Sequence, residues 1–218
     1  MSSSKEEEEE DGIKVILVGE SGTGKTSLIN SAQGKQFIEG NQISSMTCSF
    51  IKVKITISGE KYLINLWDTI GQEQFRSLTK IFLNNAKIVI FVFDITDNDS
   101  FEALDFWYET IENELGKEPI KGIAANKQDL FEEQKVDDDL IEEYAKKKGI
   151  KFVYTTATNP MSFNGLLEDL LKEYLEKSGI GANPEQKKNK NKGKKLKKDN
   201  HNDDPNNPNN KKKRKKCC

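Results

Sequence analysis

The chain has a single histidine, His201, and three cysteines, Cys48, Cys217 and Cys218, in 218 residues. Histidine-based catalysis therefore has no candidate in the first 200 residues, and three thiols cannot build a disulfide framework. Cys48, alone in the body, reads as a small packing residue. No stretch approaches the roughly 20 consecutive apolar residues that a membrane span needs. The amino terminus also lacks the basic-then-apolar start of a secretory signal, since Ser2 to Asp11 carries five consecutive glutamates instead. Asp94, Asp97 and Asp99 cluster without the glycine and glutamate of a calcium loop. A cytosolic chain that does not span a membrane is the expectation.

Hydrophobic residues make up 34% and charged residues 32%, which suits one buried core diluted by polar ends. The charge is unevenly spread. From Glu185 onward there are fourteen Lys/Arg against four Asp/Glu, a net of +10, whereas residues 1–184 hold 20 basic and 32 acidic residues, a net of −12. Three regions follow: an acidic, disordered leader at 1–12, a folded domain at 13–180, and a disordered basic tail at 181–218 ending in Cys-Cys.

Within the domain, apolar runs alternate with amphipathic stretches. The pattern predicts strands at 13–18, 50–57, 62–67, 88–93, 120–125 and 152–155, with Ser58-Gly59-Glu60 as a hairpin turn. Helices are predicted at 25–33, 100–115, 137–148 and 164–177, with Ser100 and Asp137 at N-cap positions and three lysines before Gly149. Such interleaving implies an α/β fold whose sheet is mostly parallel, with one antiparallel edge strand.

The first strand runs directly into Gly19-Glu20-Ser21-Gly22-Thr23-Gly24-Lys25-Thr26, a G-x-x-x-x-G-K-T opening a helix. Glycines there let backbone N–H groups curl round phosphate oxygens, and the helix N-terminus adds positive dipole. Lys25 can reach β- and γ-phosphates, and the Thr26 hydroxyl can ligate Mg²⁺. Ligands of open α/β sheets bind at the carboxyl ends of the strands. At those ends stand Asp68, suited to holding Mg²⁺ through water, then Gly71 beside a γ-phosphate, and Gln72, able to orient an attacking water. The fifth strand ends in Asn126-Lys127-Gln128-Asp129. A carboxylate there can accept the ring N–H and exocyclic amine of guanine, and adenine would leave it unpaired. Thr155-Thr156-Ala157-Thr158 follows the sixth strand, where a backbone N–H can meet the guanine carbonyl.

Over residues 13–178 the chain resembles a Ras-superfamily small GTPase, and within it most resembles the Rab family. The likeness rests on Trp67-Asp68-Thr69-x-Gly71-Gln72-Glu73, Phe75-Arg76-Ser77-Leu78-Thr79, Phe93-Asp94-Ile95-Thr96 and the closing Cys217-Cys218. It implies a three-layer P-loop G domain with a six-stranded sheet and five helices. It also implies nucleotide contacts from Glu20, Ser21, Gly22, Thr23, Gly24, Lys25, Thr26, Ser27, Gly71, Asn126, Lys127, Asp129, Thr156, Ala157 and Thr158, with Phe37 stacking on guanine. GTP/GDP and Mg²⁺ are the implied ligands, with Gln72 and Lys25 as catalytic residues. Cys217 and Cys218 would carry prenyl groups beside the basic run 211–216, and escort or GDI-type proteins would handle them. A guanine nucleotide exchange factor, a GTPase-activating protein and effectors are the other expected partners. Nucleic acid is not expected as a partner, and the chain should act as a monomer on the cytoplasmic face of an endomembrane, with a cytosolic pool.

Four departures from the family pattern bear on this. The switch residue that binds Mg²⁺ falls on Ser45 by one spacing and Ser44 by another, and the nearest threonine is Thr47. Ser45 is the favoured position. Ile70 replaces a small alanine before Gly71, and Thr158 replaces the lysine of S-A-K. Residues 46–50 and 82–86 also differ from the family runs. A GTP-binding scaffold that hardly hydrolyses is thus the competing reading, along with another Ras-superfamily signalling GTPase. An ATPase with a nucleic-acid-binding tail is opposed by Asp129 and by the terminal cysteines.

Overall fold

The computed structural model describes residues 12–37, 49–68 and 83–180. The chain divides into two units, Met1–Ile180 and Gly181–Cys218, and all described residues lie in the first. Its strands are β1 (Ile13–Val18), β2 (Ser49–Ile57), β3 (Glu60–Asp68), β4 (Ile88–Asp94), β5 (Ile120–Asn126) and β6 (Lys151–Tyr154). The helices are α1 (Lys25–Ala32), α2 (Asn98–Glu102), α3 (Leu104–Leu115), α4 (Asp138–Lys148) and α5 (Pro160–Ser178), with a 3-10 turn at Gln128–Glu133. One six-stranded sheet runs in the order β2-β3-β1-β4-β5-β6. Among the described residues, the β2–β3 pair is the one antiparallel pair of strands in this sheet.

The period-2 geometry of a strand explains the continuous apolar runs. In β1, Val15 and Leu17 face one layer while Ile16 and Val18 face the other; in β4, Ile88, Ile90 and Val92 oppose Val89, Phe91 and Phe93. The first layer is closed by α1 and α5, through Leu28, Leu166, Leu167, Leu170, Leu171 and Leu175. Burying each such leucine contributes about 1.5–3 kcal/mol, so α5 is the main apolar clamp on that side. The second layer is closed by α3 and α4, through Leu104, Trp107, Ile111, Ile141 and Ala145. At the β2 edge the pattern alternates instead: Lys52, Lys54 and Thr56 are exposed, while Ile55 and Ile57 are buried.

The hairpin turns on Ser58 and Gly59 alone, both at positive φ, since Ile57 already pairs with Glu60. Two helix starts differ from the sequence expectation. The stretch expected as one helix over 100–115 is two, α2 and α3, meeting at Ala103. Asp97 caps it by accepting from the Asp99 N–H at 3.1 Å. Ser100 is instead buried, its hydroxyl accepting from the Asp94 N–H at 3.0 Å and donating to the Asp97 carbonyl at 2.8 Å. That hydroxyl serves the end of β4, which a one-dimensional capping rule cannot register. The last helix begins at Pro160 and not at 164, because Asn159 accepts from the Met161 N–H and proline presets the first turn. Asp137 does occupy the N-cap position of α4, and Gly149 closes it after three lysines. Among the described residues no helix is long and apolar enough to cross a membrane.

Candidate functional site

The parallel strands all end on the same side of the sheet. There β3 delivers Asp68, β1 the turn that starts at Gly19, β4 Asp94, β5 Asn126, and β6 the loop that starts at Thr155. The chain leaves β1 towards β3 and returns on the other side as β4, so the turn sits where strand order reverses, the usual ligand crevice of such sheets.

Gly24, at φ 93° and ψ 18°, caps α1, and the first turn of that helix contains no acidic residue. A first turn with no side-chain cap presents backbone N–H groups and positive dipole to an anion. Lys25 follows, 5% exposed, its Nζ donating to the Gly19 carbonyl at 2.9 Å and the Glu20 carbonyl at 2.7 Å. Burial pushes this ammonium down to about 8, while Asp68 and then Glu20 pull it back up. A desolvated cation resting on neutral carbonyls is prepared for an anion. The Thr26 hydroxyl donates to Asp68 Oδ2 at 2.7 Å, and Asp68 is 3% exposed. A hydroxyl and a carboxylate in contact at the mouth of a phosphate-type turn are the hard oxygen donors that suit Mg²⁺, so these residues fit that ion.

The second half of the crevice is fastened to the first. Asn126, 1% exposed, donates from Nδ2 to the Thr23 carbonyl at 2.8 Å and accepts from the Thr155 hydroxyl at 3.2 Å. A Cβ added to Gly24 would lie 2.3 Å from that Nδ2, so the turn and the Asn126 amide occupy complementary space. Lys127 takes a left-handed backbone, φ 66°, and its Nζ pairs with Asp94 Oδ2 at 2.5 Å. The reversal at Lys127 leads into the 3-10 turn carrying Asp129, which is exposed. The Thr156 hydroxyl donates to Asp129 Oδ1 and, its proton thus committed, accepts from the Thr158 hydroxyl at 2.8 Å and the Thr158 N–H at 3.1 Å. Thr158, which stands in place of the lysine of S-A-K, is therefore tied to Asp129 through one intervening hydroxyl.

A family model described as "Ras family" matches residues 14–176. The chain belongs to the Ras family. Ras-related protein Rab-21 from Bos taurus and from Homo sapiens is 37% identical over 144 residues, covering 66% of this chain and 64% of theirs. Ras-related protein Rab-26 from Rattus norvegicus is 33% identical over 149 residues, covering 68% of this chain and 58% of its own. The chain thus matches less than two thirds of the length of these relatives, and at this identity it is a divergent, Rab-like member of the Ras family.

Of the residues expected to form the Ras-family site, the structure brings Gly24 against the Asn126 amide and joins the others in four bonded groups: Glu20, Thr23, Lys25 and Asn126; Thr26 with Asp68; Lys127 with Asp94; and Asp129 with Thr156 and Thr158. Ser21 and Gly22 are exposed in the turn, while Ser27 and Ala157 are half-buried. Phe37 is half-buried beyond α1 and makes no ring contact among the described residues. Ser44, Ser45, Thr47, Ile70, Gly71, Gln72, Cys217 and Cys218 lie outside the described residues. Two members were missed. Asp94 ends β4 opposite Asn126 in register, and its place at a strand end, like those of Asp68 and Asn126, is the sequence signal that marks it. Trp107, whose indole N–H donates to Glu20 Oε1 at 3.0 Å from 87 residues away, left no local signal.

Proposed function

We propose that the chain is a Rab-like small GTPase, a GTP/GDP-driven switch for membrane traffic with slow hydrolysis of its own. The observation that carries the reading is that Asn126 ties the phosphate-type turn, at the Thr23 carbonyl, to the hydroxyl of Thr155, the residue that opens the loop from which Thr156 holds the Asp129 carboxylate. In this reading the backbone from Glu20 to Ser27 and the Lys25 ammonium hold the phosphates, Asp129 selects guanine, and Asn126 keeps the two ends at a fixed spacing. Phe37 flanks the base, and Ala157 and Thr158 close its carbonyl edge. Thr26 and Ser45 would hold Mg²⁺ directly and Asp68 through water, and the ion when bound neutralises charge that develops between the phosphates.

Gln72 orients the attacking water beside Gly71, and Lys25 stabilises the transferring phosphoryl group. The described residues contain no arginine that would reach in as a finger. Unassisted turnover on the order of 10⁻⁴ s⁻¹ is therefore expected, with an activating protein supplying the rest. GTP would order the segments around Ser45 and Gly71, and hydrolysis would release them to change effector binding. The competing reading, a GTP-binding scaffold, draws on Ile70 next to Gly71. Single-turnover hydrolysis with an activating protein separates the two. The native chain should convert bound GTP, and Gln72→Leu should bind GTP equally well and hydrolyse at least tenfold more slowly. A wild-type rate in Gln72→Leu would remove the role given to Gln72, and no turnover in the native chain would favour the scaffold.

Membrane attachment is read from the terminus. A single lipid chain holds a protein only marginally, so stable anchoring takes two signals. Cys217 and Cys218 would supply two prenyl chains, and the basic run 211–216 adds about 1 kcal/mol per residue near an anionic leaflet. The terminus is not a C-a-a-X box, and the escort pathway is the one that the Rab likeness implies. Replacing both cysteines with serine should move the protein from the membrane pellet to the cytosol and leave GDP affinity unchanged. A double variant that still pellets, with free thiols in the native C-terminal peptide, would end the anchor reading.

A further inference from the structure

Glu20 is the second residue of the phosphate-type turn, and a carboxylate there would repel bound phosphates if it were free to face them. The residue carries two jobs on separate atoms. Its carbonyl accepts from Lys25 Nζ at 2.7 Å and from the Thr23 hydroxyl at 2.9 Å. Its side chain is drawn to Trp107, whose Nε1–H donates to Oε1 at 3.0 Å. Trp107 is 4% exposed and set in the core between α3 and the sheet, with Phe106 edge-on at 5.4 Å. An indole fixed this firmly, with its one polar atom aimed at the turn, limits where the carboxylate can go.

We propose that Trp107 is a positioning residue that holds the Glu20 carboxylate away from bound phosphates and so slows nucleotide release. The inference rests on the reading of this site as a guanine-nucleotide site. Its chemistry is a sign effect: an untethered carboxylate shortens the residence of a polyanion, and an untethered neutral amide does not. A tryptophan that merely packed the core would act the same whatever charge residue 20 carried.

The test uses full-length protein loaded with a fluorescent GDP and chased with excess unlabelled GDP in Mg²⁺. Trp107→Phe keeps an aromatic ring and removes the N–H, and release should accelerate about tenfold, the scale of one hydrogen bond to a charged group. Adding Glu20→Gln to that variant should bring release back to within about threefold of the native rate. A double variant that releases as fast as Trp107→Phe alone would reduce Trp107 to packing and overturn the proposal. So would native-rate release from Trp107→Phe, whereas a native chain that never retains GDP would overturn the nucleotide reading instead. Should Trp107→Phe fail to fold, Glu20→Gln in the otherwise native chain serves through the indole N–H resonances of its two tryptophans. Loss of the charged acceptor should shift one of them, and an unmoved pair overturns the proposal.

Discussion

GDP is expected to bind this protein at least a hundredfold more tightly than ADP, and Asp129→Ala to erase that preference. Guanine offers a ring N–H and an amine to a carboxylate, and hydrogen bonds to charged groups contribute about 1.5–3 kcal/mol each. Two of them correspond to roughly 10²–10⁴ in affinity. Asp129 is exposed and held by the Thr156 hydroxyl, itself braced by Thr158, so the carboxylate is oriented before any base arrives. Because Asp129 lies outside the apolar core, the substitution should change thermal stability of the nucleotide-free chain little. Calorimetric titration of both nucleotides into both proteins checks the claim. Asp129→Ala that keeps native GDP affinity would place base selection elsewhere.

Gly24→Ala is expected to damage the site through a single added methyl group. The left-handed backbone at Gly24 costs an alanine about 1–2 kcal/mol. In addition the new Cβ would meet Asn126 Nδ2 at 2.3 Å and break the buried bond from Asn126 to the Thr23 carbonyl, for about another 1–3 kcal/mol. For a domain of this size each kcal/mol lowers Tm by about 2–4 °C, so a fall of roughly 5–15 °C should accompany loss of GDP binding. Gly22→Ala is the control. Gly22 also has positive φ, 82°, but its added Cβ would meet nothing within 4 Å, so only the backbone strain applies. Thermal unfolding of the two variants measures the difference, and equal Tm values would show that Asn126 does not couple the turn to the base loop.

Much of the sheet was legible because its signal is local. All six strands appear within two residues of where alternation and apolar runs placed them, since the pleat forces every second side chain to one face. Both central strands could be told from the β2 edge on that ground: β1 and β4 are apolar on both faces, whereas β2 shows lysine and threonine on one. Helix starts were less legible. The Asn159-Pro160 start is hidden because apolar periodicity begins only at Phe163, and Ser100 resembles a cap in sequence although its hydroxyl bonds the end of β4 at Asp94 and the Asp97 carbonyl.

The sequence by itself determined the α/β layering and the order of the motifs. The phosphate-type turn with its lysine, the carboxylate at Asp129 and the oxygen donors at Thr26 and Asp68 were also readable, each lying within a few residues of a strand end. Only the tertiary structure decided how they are joined. Asn126 reaches Thr23 across 103 residues, Lys127 meets Asp94, Thr26 meets Asp68, and Trp107 takes hold of Glu20 from α3, 87 residues along the chain. The physical reason is that a hydrogen bond depends on distance in space to within a few tenths of an ångström, whereas periodicity reports only which way a side chain points.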